Sequence, residues 1–150
     1  MDRVTAAVAL GSNLGDRRSH LDFAVSRLQS ILSALRVSSY DDTDPVGVPD
    51  AQPQFLNAVA VGETGMTARE LLQALLAIER ERGRERPFPG AARTLDLDLV
   101  LFGSQVIEEP DLVVPHPRFR ERRFVLDPLA EIAPKMVDPV TGKTIEELRT

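Results

Sequence analysis

The sequence predicts an α+β fold in which two helices pack on one face of an antiparallel sheet. Segments with strand character alternate with two stretches of helical apolar spacing, and turn-forming residues separate them. The resulting order is β-α-β-β-α-β, which is the ferredoxin-like pattern. The chain has 150 residues, the size of one ordinary domain, so we expect a single domain over 1–150.

The first half of the chain supplies a strand, a helix and a second strand. Residues 3–10 are a short apolar strand, and the turn formers at 11–16 end it. Apolar side chains at helical spacing predict a helix over 17–35. Residues 36–42 are the second predicted strand. The segment 43–54 is rich in Pro, Gly and Asp, which predicts a loop.

The second half begins with a predicted strand over 55–64 and a helix. Thr67 with Glu70 three residues later predicts a capping box, and the helix should reach about Gly83.

A second predicted loop covers residues 84–92, and the fourth strand covers 95–102. The tail, 104–150, adds a short strand at 105–108, a segment interrupted by prolines and a short helix after Thr144.

Composition and charge exclude several classes of protein. The chain has no cysteine, which excludes disulfides and thiol chemistry. A net charge of −5 argues against a general nucleic-acid or membrane-surface binder. The absence of a signal peptide and of a bilayer-length apolar run predicts a cytoplasmic protein, and one self-contained domain predicts a monomer. Half of the Lys and Arg residues lie between Arg80 and Arg123, where they could form one anion-binding face.

The segment 93–103, RTLDLDLVLFG, carries two carboxylates on a strand otherwise suited to burial. Alternation places Asp96 and Asp98 on one face, roughly 6.6 Å apart, together with Val100 and Phe102. It assigns the other face to Leu95, Leu97, Leu99 and Leu101. Two adjacent carboxylates raise one pKa unless a positive group lies between them. An arginine, a divalent metal and a half-exposed polar patch are all consistent with this pattern.

Arginines flank the same strand. Arg84 and Arg93 lie at the two ends of the second loop, and a guanidinium can donate two parallel hydrogen bonds to phosphate oxygens. Glu79 could complete an acidic site. Carboxylates for magnesium and arginines for phosphate indicate phosphoryl transfer. The alternative for the arginines is a solvated helix end, which suits Arg80 and Arg82 better than Arg93.

One histidine and two aromatic residues are further candidates. His116 is held between two prolines near Arg122, which favours a role in a site over an ordinary turn histidine. Phe55 and Phe124 would suit a flat heterocycle if their rings face each other with Asn57 at the edge. The alternative is that both are core phenylalanines.

Seven motifs, which together span nearly the whole chain, resemble those of a known family and occur in the same order. They are GSNLGDR, TDPVG, QPQFLNAV, IERERGR, RTLDLDLVLFG, VPHPRFRERRFVL and PLAEIAP. They resemble the 6-hydroxymethyl-7,8-dihydropterin pyrophosphokinases of folate biosynthesis. The resemblance implies a ferredoxin-like fold and magnesium-dependent transfer of pyrophosphate from ATP to the pterin hydroxymethyl group, with release of AMP. The chain departs from many members at Phe55, where they have tyrosine, and in the second loop, which is short and lacks tryptophan.

The resemblance also implies a role for each candidate residue. Asp96 and Asp98 would hold two magnesium ions on the ATP phosphates, and one of them, with Asp98 favoured, would take the hydroxyl proton. Arg84 and Arg93 would contact phosphates during catalysis. The residues that would bind ATP are Glu79, His116 and Arg122. The residues that would bind the pterin are Thr43, Pro45, Val46, Phe55, Asn57 and Phe124.

Two other functions are compatible with the same residues. The first is another metal-dependent nucleotidyl or phosphoryl transferase that uses the same aspartate pair. Its product would differ, since ADP indicates an ordinary kinase and AMP indicates pyrophosphoryl transfer. The second is a non-catalytic ferredoxin-like module that binds a nucleotide or metabolite. Such a module would bind ATP without turnover.

Overall fold

The structure is a computed structural model that describes residues 3–43, 54–83 and 94–150. The main sheet within these ranges has five strands, which are β1 (Val4–Ser12), β2 (Ser33–Val37), β3 (Asp41–Thr43), β4 (Phe55–Thr64) and β5 (Asp96–Phe102). Its order is β2-β4-β1-β5, and β3 also pairs with β4. Every pairing is antiparallel. The predicted ferredoxin-like fold is confirmed.

Helices cover both faces of this sheet. The described helices are α1 (Arg17–Gln29), α2 (Ala68–Glu81), α3 (Arg123–Ile132) and α4 (Ile145–Arg149). Helices α1 and α2 pack on one face, which we call the helix face, and share its apolar core with alternate residues of the strands. Helices α3 and α4 pack on one end of the opposite face. The other end of that face carries the predicted site residues. We call this whole face, which lies opposite the helix face, the open face.

Helix α3 has no counterpart among the sequence predictions, which place only a proline-interrupted segment there. Pro128 lies inside the helix, and an interior proline costs about 3 kcal/mol. Val125, Leu126 and Leu129 are nonetheless buried against the sheet. Each buried side chain of this size contributes about 1.5–3 kcal/mol, so tertiary burial offsets the local penalty.

Helix α1 is shorter than predicted. It ends at Gln29, with Ser30 as its C-cap, and the chain enters β2 at Ser33. The predicted end at residue 35 is wrong because the apolar spacing continues past the helix. Leu32 is buried and Leu35 packs on the same core, although neither is helical. The predicted strand over 36–42 is in fact parts of β2 and β3.

Strand β5 contains a β-bulge that alters the predicted faces. Its pairing with β1 changes register between Ala7 and Val8, where Leu101 and Leu99 are the partners. The extra residue, Val100, points to the same side as Leu101, since both belong to the core under α3. Phe102 therefore joins the core on the helix face. The predicted faces of Leu101 and Phe102 are wrong, and the others stand.

The tail contains a hairpin of two strands, β6 (Ile107–Glu109) and β7 (Leu112–Val114). The predicted strand at 105–108 corresponds to β6, and β7 was not predicted. Helix α4 is the predicted helix after Thr144, and Thr144 forms a capping box with Glu147. Across the described ranges, no helix combines the length and the apolar character that crossing a membrane requires.

Candidate active site

Strand β1 separates the two halves of the predicted site. Gly11 pairs with Asn57 on β4 and with Asp96 on β5, and Ala9 pairs with Asp98. Neighbouring strands lie about 4.8 Å apart, so the backbones of Asn57 and Asp96 lie about 10 Å apart across β1, and Asp98 lies further along the strand. Within the described residues, only the small residues Gly11 and Ala9 of β1 lie between them on the open face, so no large side chain of β1 fills the gap between the halves.

The aromatic half lies between β3, β4 and α3. Asn57 is buried, and its Nδ2 donates a hydrogen bond to Thr43 Oγ1. A Cβ atom at Gly11 would lie 3.2 Å from Asn57 Oδ1 and 3.5 Å from Phe55 Cδ1, so both side chains lean over β1. Thr43 and Asn57 share a cavity of about 270 Å³ with Phe124. Its described lining is Asp41, Asp42, Thr43, Asn57, Arg123, Phe124, Asp127 and Pro128. This volume is close to the lower limit of about 300 Å³ for small-molecule sites, which suits a small heterocycle.

The carboxylate half lies on β5. Asp96 and Asp98 point to the open face and are each partly exposed. Glu79, only 2% exposed, reaches the same strand from the helix face. Its Oε2 accepts a hydrogen bond of 2.7 Å from the backbone N–H of Leu97, the residue between the two aspartates. Glu79 therefore fixes the backbone that carries both carboxylates.

The prediction that Glu79 completes an acidic site is wrong, because Glu79 is buried on the face opposite Asp96 and Asp98. Its support of the strand was not predicted, although the sequence contains a signal for it. Glu79 follows Leu71 and Leu75 at four-residue intervals, and all three side chains are buried on α2. A carboxylate on the apolar stripe of a helix must find a donor inside the protein. That spacing would have placed Glu79 towards the sheet.

Basic side chains approach Asp96 from the tail. The backbone N–H of His116 donates to Val100 O over 2.9 Å, which attaches this segment to β5. Burial, and next the charge of Arg122, lower the pKa of His116, while the charge of Asp96 opposes this shift. His116 Nδ1 accepts a hydrogen bond of 3.2 Å from the N–H of Arg118. The neutral imidazole therefore carries its proton on Nε2, which can donate to a ligand.

Arg122 connects the two halves. Its guanidinium carbon lies 5.5 Å from the centre of the Phe124 ring, within the range of a cation–π contact. The same arginine acts electrostatically on His116. A ligand on the aromatic half would thus lie next to a cation that belongs to the other half.

Four predicted site residues lie outside the described residues. They are Pro45 and Val46 in the first predicted loop and Arg84 and Arg93 at the ends of the second. Their roles stay predictions. The structure brings the other candidates together at one end of the sheet. Glu79 lies on the helix face, and the others lie on or beside the open face.

The aspartate pair fits magnesium that is shared with a substrate. Among the residues that the structure describes, no three His, Asp or Glu side chains form a group that could hold a metal ion. Magnesium is usually bound by one or two carboxylates, with water and substrate phosphates as the other ligands. Asp96 and Asp98 match that number of carboxylates, so the donor set suits magnesium held together with phosphate.

Two contacts of the first turn of α1 were also not predicted. Arg82, at the end of α2, donates from Nε to His20 Nδ1 over 2.8 Å and from Nη2 to Ser19 Oγ over 2.9 Å. The interpretation of Arg82 as a solvated helix end is therefore wrong. Burial, followed by the charge of Arg82, lowers the pKa of His20, which keeps its Nδ1 an acceptor. Arg17, also in the first turn of α1, contacts Gln54 and Asp42.

Comparisons with known proteins agree with the motifs. The family model described as 7,8-dihydro-6-hydroxymethylpterin-pyrophosphokinase (HPPK) matches residues 7–134. The 2-amino-4-hydroxy-6-hydroxymethyldihydropteridine pyrophosphokinase of Bacillus subtilis is 44% identical over 144 residues, which cover 95% of this chain and 86% of that one. The enzyme of the same name from Pseudomonas aeruginosa is 43% identical over 143 residues, covering 94% and 87%.

The structural comparison supports the fold. A crystal structure of a Plasmodium falciparum HPPK-DHPS variant matches with a TM-score of 0.78 at 16% identity. The match covers 98% of this chain and 45% of the solved chain, so this protein spans less than half of that one. At this identity the likeness shows the fold alone. From the family model and the two bacterial relatives, the chain belongs to the HPPK family.

Proposed function

We propose that this protein transfers pyrophosphate from ATP to 6-hydroxymethyl-7,8-dihydropterin in a magnesium-dependent reaction that releases AMP. Its family membership makes the chain a pyrophosphokinase of folate biosynthesis. The register of β1 is the observation that carries the proposed site. Because Gly11 pairs with Asn57 on one side and with Asp96 on the other, a cavity of the size of a heterocycle lies on one side of β1 and the carboxylate pair lies on the other.

The aromatic half binds and orients the pterin. Asn57 uses its Nδ2 on Thr43, so its Oδ1 remains to accept a hydrogen bond from a ring N–H. Phe55 and Phe124 supply the stacking surfaces, and loss of the tyrosine hydroxyl at Phe55 leaves stacking intact. Backbone groups near Pro45 and Val46 complete the recognition of the pterin edge.

The carboxylate half binds the triphosphate. Asp96 and Asp98 would hold two magnesium ions, which would supply positive charge to the phosphate oxygens. His116 donates from Nε2, and Arg122 adds a cation beside it, so both bind the nucleotide. Arg84 and Arg93 contact the transferring phosphates, and Glu79 supports the strand under the nucleotide.

The transfer moves one proton and breaks one P–O bond. The pterin hydroxyl oxygen bonds to the β-phosphorus, the bond to the oxygen that bridges to the α-phosphorus breaks, and AMP leaves with that oxygen. We assign the hydroxyl proton to Asp98. Asp96 lies close enough to His116 for their charges to interact, and therefore belongs with the nucleotide-binding residues.

Product analysis tests this function. Purified protein is incubated with ATP, magnesium and 6-hydroxymethyl-7,8-dihydropterin, and the adenine nucleotides are separated by chromatography. We expect AMP that depends on both the pterin and magnesium. ADP would indicate an ordinary kinase. ATP binding without turnover would indicate the non-catalytic module that binds a nucleotide or metabolite.

We also infer that the chain works as a single-domain monomer in the cytoplasm. One chain supplies both halves of the site, so a second copy is not needed to complete it. Light scattering after size-exclusion chromatography should give a mass near 16.5 kDa. A mass of twice that value would contradict the monomer.

A further inference from the structure

A single side chain from α1 reaches both strands that carry the aromatic half. Asp16 caps α1, which makes Arg17 the first residue of the helix. Arg17 Nη1 donates to the backbone oxygen of Gln54 over 2.8 Å and lies 2.6 Å from Asp42 Oδ1. Gln54 directly precedes β4, and Asp42 is in β3. One nitrogen atom therefore joins the two strands.

These contacts lie at the end of the β3–β4 ladder. Thr43 and Phe55 are the last pair of that ladder in the described chain, and each directly follows a residue that Arg17 contacts. The described part of β3 has three residues, so few described backbone hydrogen bonds hold it in place. Arg17 adds a contact next to the last described pair of the ladder.

The direction of the side chains shows how this contact acts on the site. Thr43 is paired with Phe55 and bonded to Asn57, so it belongs to the open face. Alternation directs the side chain of Asp42 away from that of Thr43, and Asp42 contacts Arg17 although it also lines the cavity. Arg17 is not among the described residues that line the cavity, so it contacts the strands that carry Thr43 and Phe55 without reaching the ligand.

We propose that Arg17 is a positioning residue for the pterin. It fixes the spacing between Thr43 and Phe55, and through Thr43 the orientation of the Asn57 amide. This inference rests on the proposed function, because it names the substrate whose binding the contact serves. The side chains of Arg17 and Asp42 are 30% and 50% exposed, and ion pairs this exposed add little to folding stability. The loss of Arg17 should therefore affect pterin binding more than the fold.

Steady-state kinetics of Arg17→Ala test the proposal. We expect the KM for the pterin to rise about tenfold, less than the ~100-fold that a 1 Å misplacement can cost. The KM for ATP and the melting temperature should stay at the parent values. Arg17→Lys should recover most of the loss, because one nitrogen makes both contacts and an ammonium can donate to both partners.

A matched control lies on the same helix. Arg27 pairs with Glu81 at 2.9 Å, with similar exposure of both side chains, and this pair is outside the site. Arg27→Ala should leave both KM values unchanged. Because Asp42 also lines the cavity, Asp42→Ala can raise the pterin KM by itself. In a double-mutant cycle, adding Arg17→Ala to Asp42→Ala should raise the KM by a smaller factor than Arg17→Ala does in the parent, since both changes remove the contact between these two side chains.

The outcomes separate this proposal from the function on which it rests. Absence of AMP from the parent protein would overturn the proposed function itself. An active parent with an unchanged pterin KM in Arg17→Ala would overturn the positioning role alone. Equal increases in both KM values together with a lower melting temperature would show a merely structural contact, and would also overturn it.

Discussion

The two faces of the sheet differ in what they carry and in how they act on the site. The helix face is almost entirely apolar and is covered by α1 and α2 along the length of the sheet. Among the described residues, the open face is apolar under α3 and α4, and its other end carries the amide, the aromatic rings and the carboxylates. Yet polar side chains on the helix face, Glu79 and Arg17, bind the strands that carry these groups. The chemistry is therefore on one face, and much of its positioning comes from the other.

Removal of a carboxylate from the open face should have the largest effect on activity. Asp98→Ala should lower AMP formation by about 100-fold or more, because the metal site and the proposed base are both lost. The melting temperature should change little, since Asp98 is partly exposed at the surface of the sheet. Chromatography of the nucleotides and a thermal melt check the two parts. Asp111→Ala, which removes an exposed carboxylate of the β6–β7 hairpin that pairs with Arg69, is the control for AMP formation. Near-parent activity in Asp98→Ala would refute the magnesium assignment.

A carboxylate on the helix face should behave differently. Glu79→Ala leaves the N–H of Leu97 without its acceptor in a buried place, which costs about 1–3 kcal/mol of unfolding free energy. Activity should fall as well, because the backbone between Asp96 and Asp98 loses its support. Denaturant unfolding with an activity assay measures both. Glu79→Gln keeps an acceptor oxygen and should lose less stability. Equal stability of the alanine variant and the parent would contradict this role.

Substitution of Gly11 tests whether the small residue between the two halves is needed for pterin binding. In Gly11→Ala the new methyl group would lie 3.2 Å from Asn57 Oδ1, so the amide must move by a few tenths of an ångström. We expect the pterin KM to rise about tenfold with little change in stability.

Gly142→Ala is the matched contrast for that substitution. Gly142 has φ +75°, and no atom lies within 4 Å of an added Cβ. Its substitution should cost about 1–2 kcal/mol of stability and leave both KM values unchanged. The comparison fails if Gly11→Ala loses stability and keeps its pterin KM.

The smallest effect concerns pH and the first turn of α1. Burial and Arg82 lower the pKa of His20 in the folded protein below its usual value of 6.5, while Asp16 opposes the shift. The unfolded chain therefore binds the proton more readily, and folding stability should fall as the pH drops below about 6.5 and stay constant above it. The pKa of His116 is lowered in the same direction, so the parent has both contributions. Melting temperatures between pH 5 and 8 should show a shallower decline in His20→Gln. An identical decline in parent and variant would exclude His20 as a contributor.

Local patterns were enough to predict much of this molecule. The capping box at Thr67 predicted the start of α2, because it depends on residues three positions apart. The short helix predicted after Thr144 is α4. The alternation of Asp96 and Asp98 with leucines predicted their common face. The order of the elements then followed, and with it the ferredoxin-like sheet.

The features that were not predicted depend on contacts between distant parts of the chain. Pro128 argues against a helix, and only burial of the neighbouring side chains against the sheet explains α3. The hydrogen bond from Leu97 to Glu79 joins residues 18 positions apart, and Arg17 is 37 positions from Gln54. Sequence spacing contains no information about such pairs until the register of the strands is known.

The bulge in β5 determines where this strand can lose a residue. Leu99 and Leu101 are partnered with Val8 and Ala7, which are consecutive, so Val100 is one residue more than the opposing strand requires. Loss of that single residue would restore a regular ladder and leave Asp96 and Asp98 on the open face. Loss of any residue between Asp96 and Leu99 would instead move one carboxylate to the other side of the sheet. Position 100 is therefore the point in this strand where a deletion is compatible with the orientation of both carboxylates.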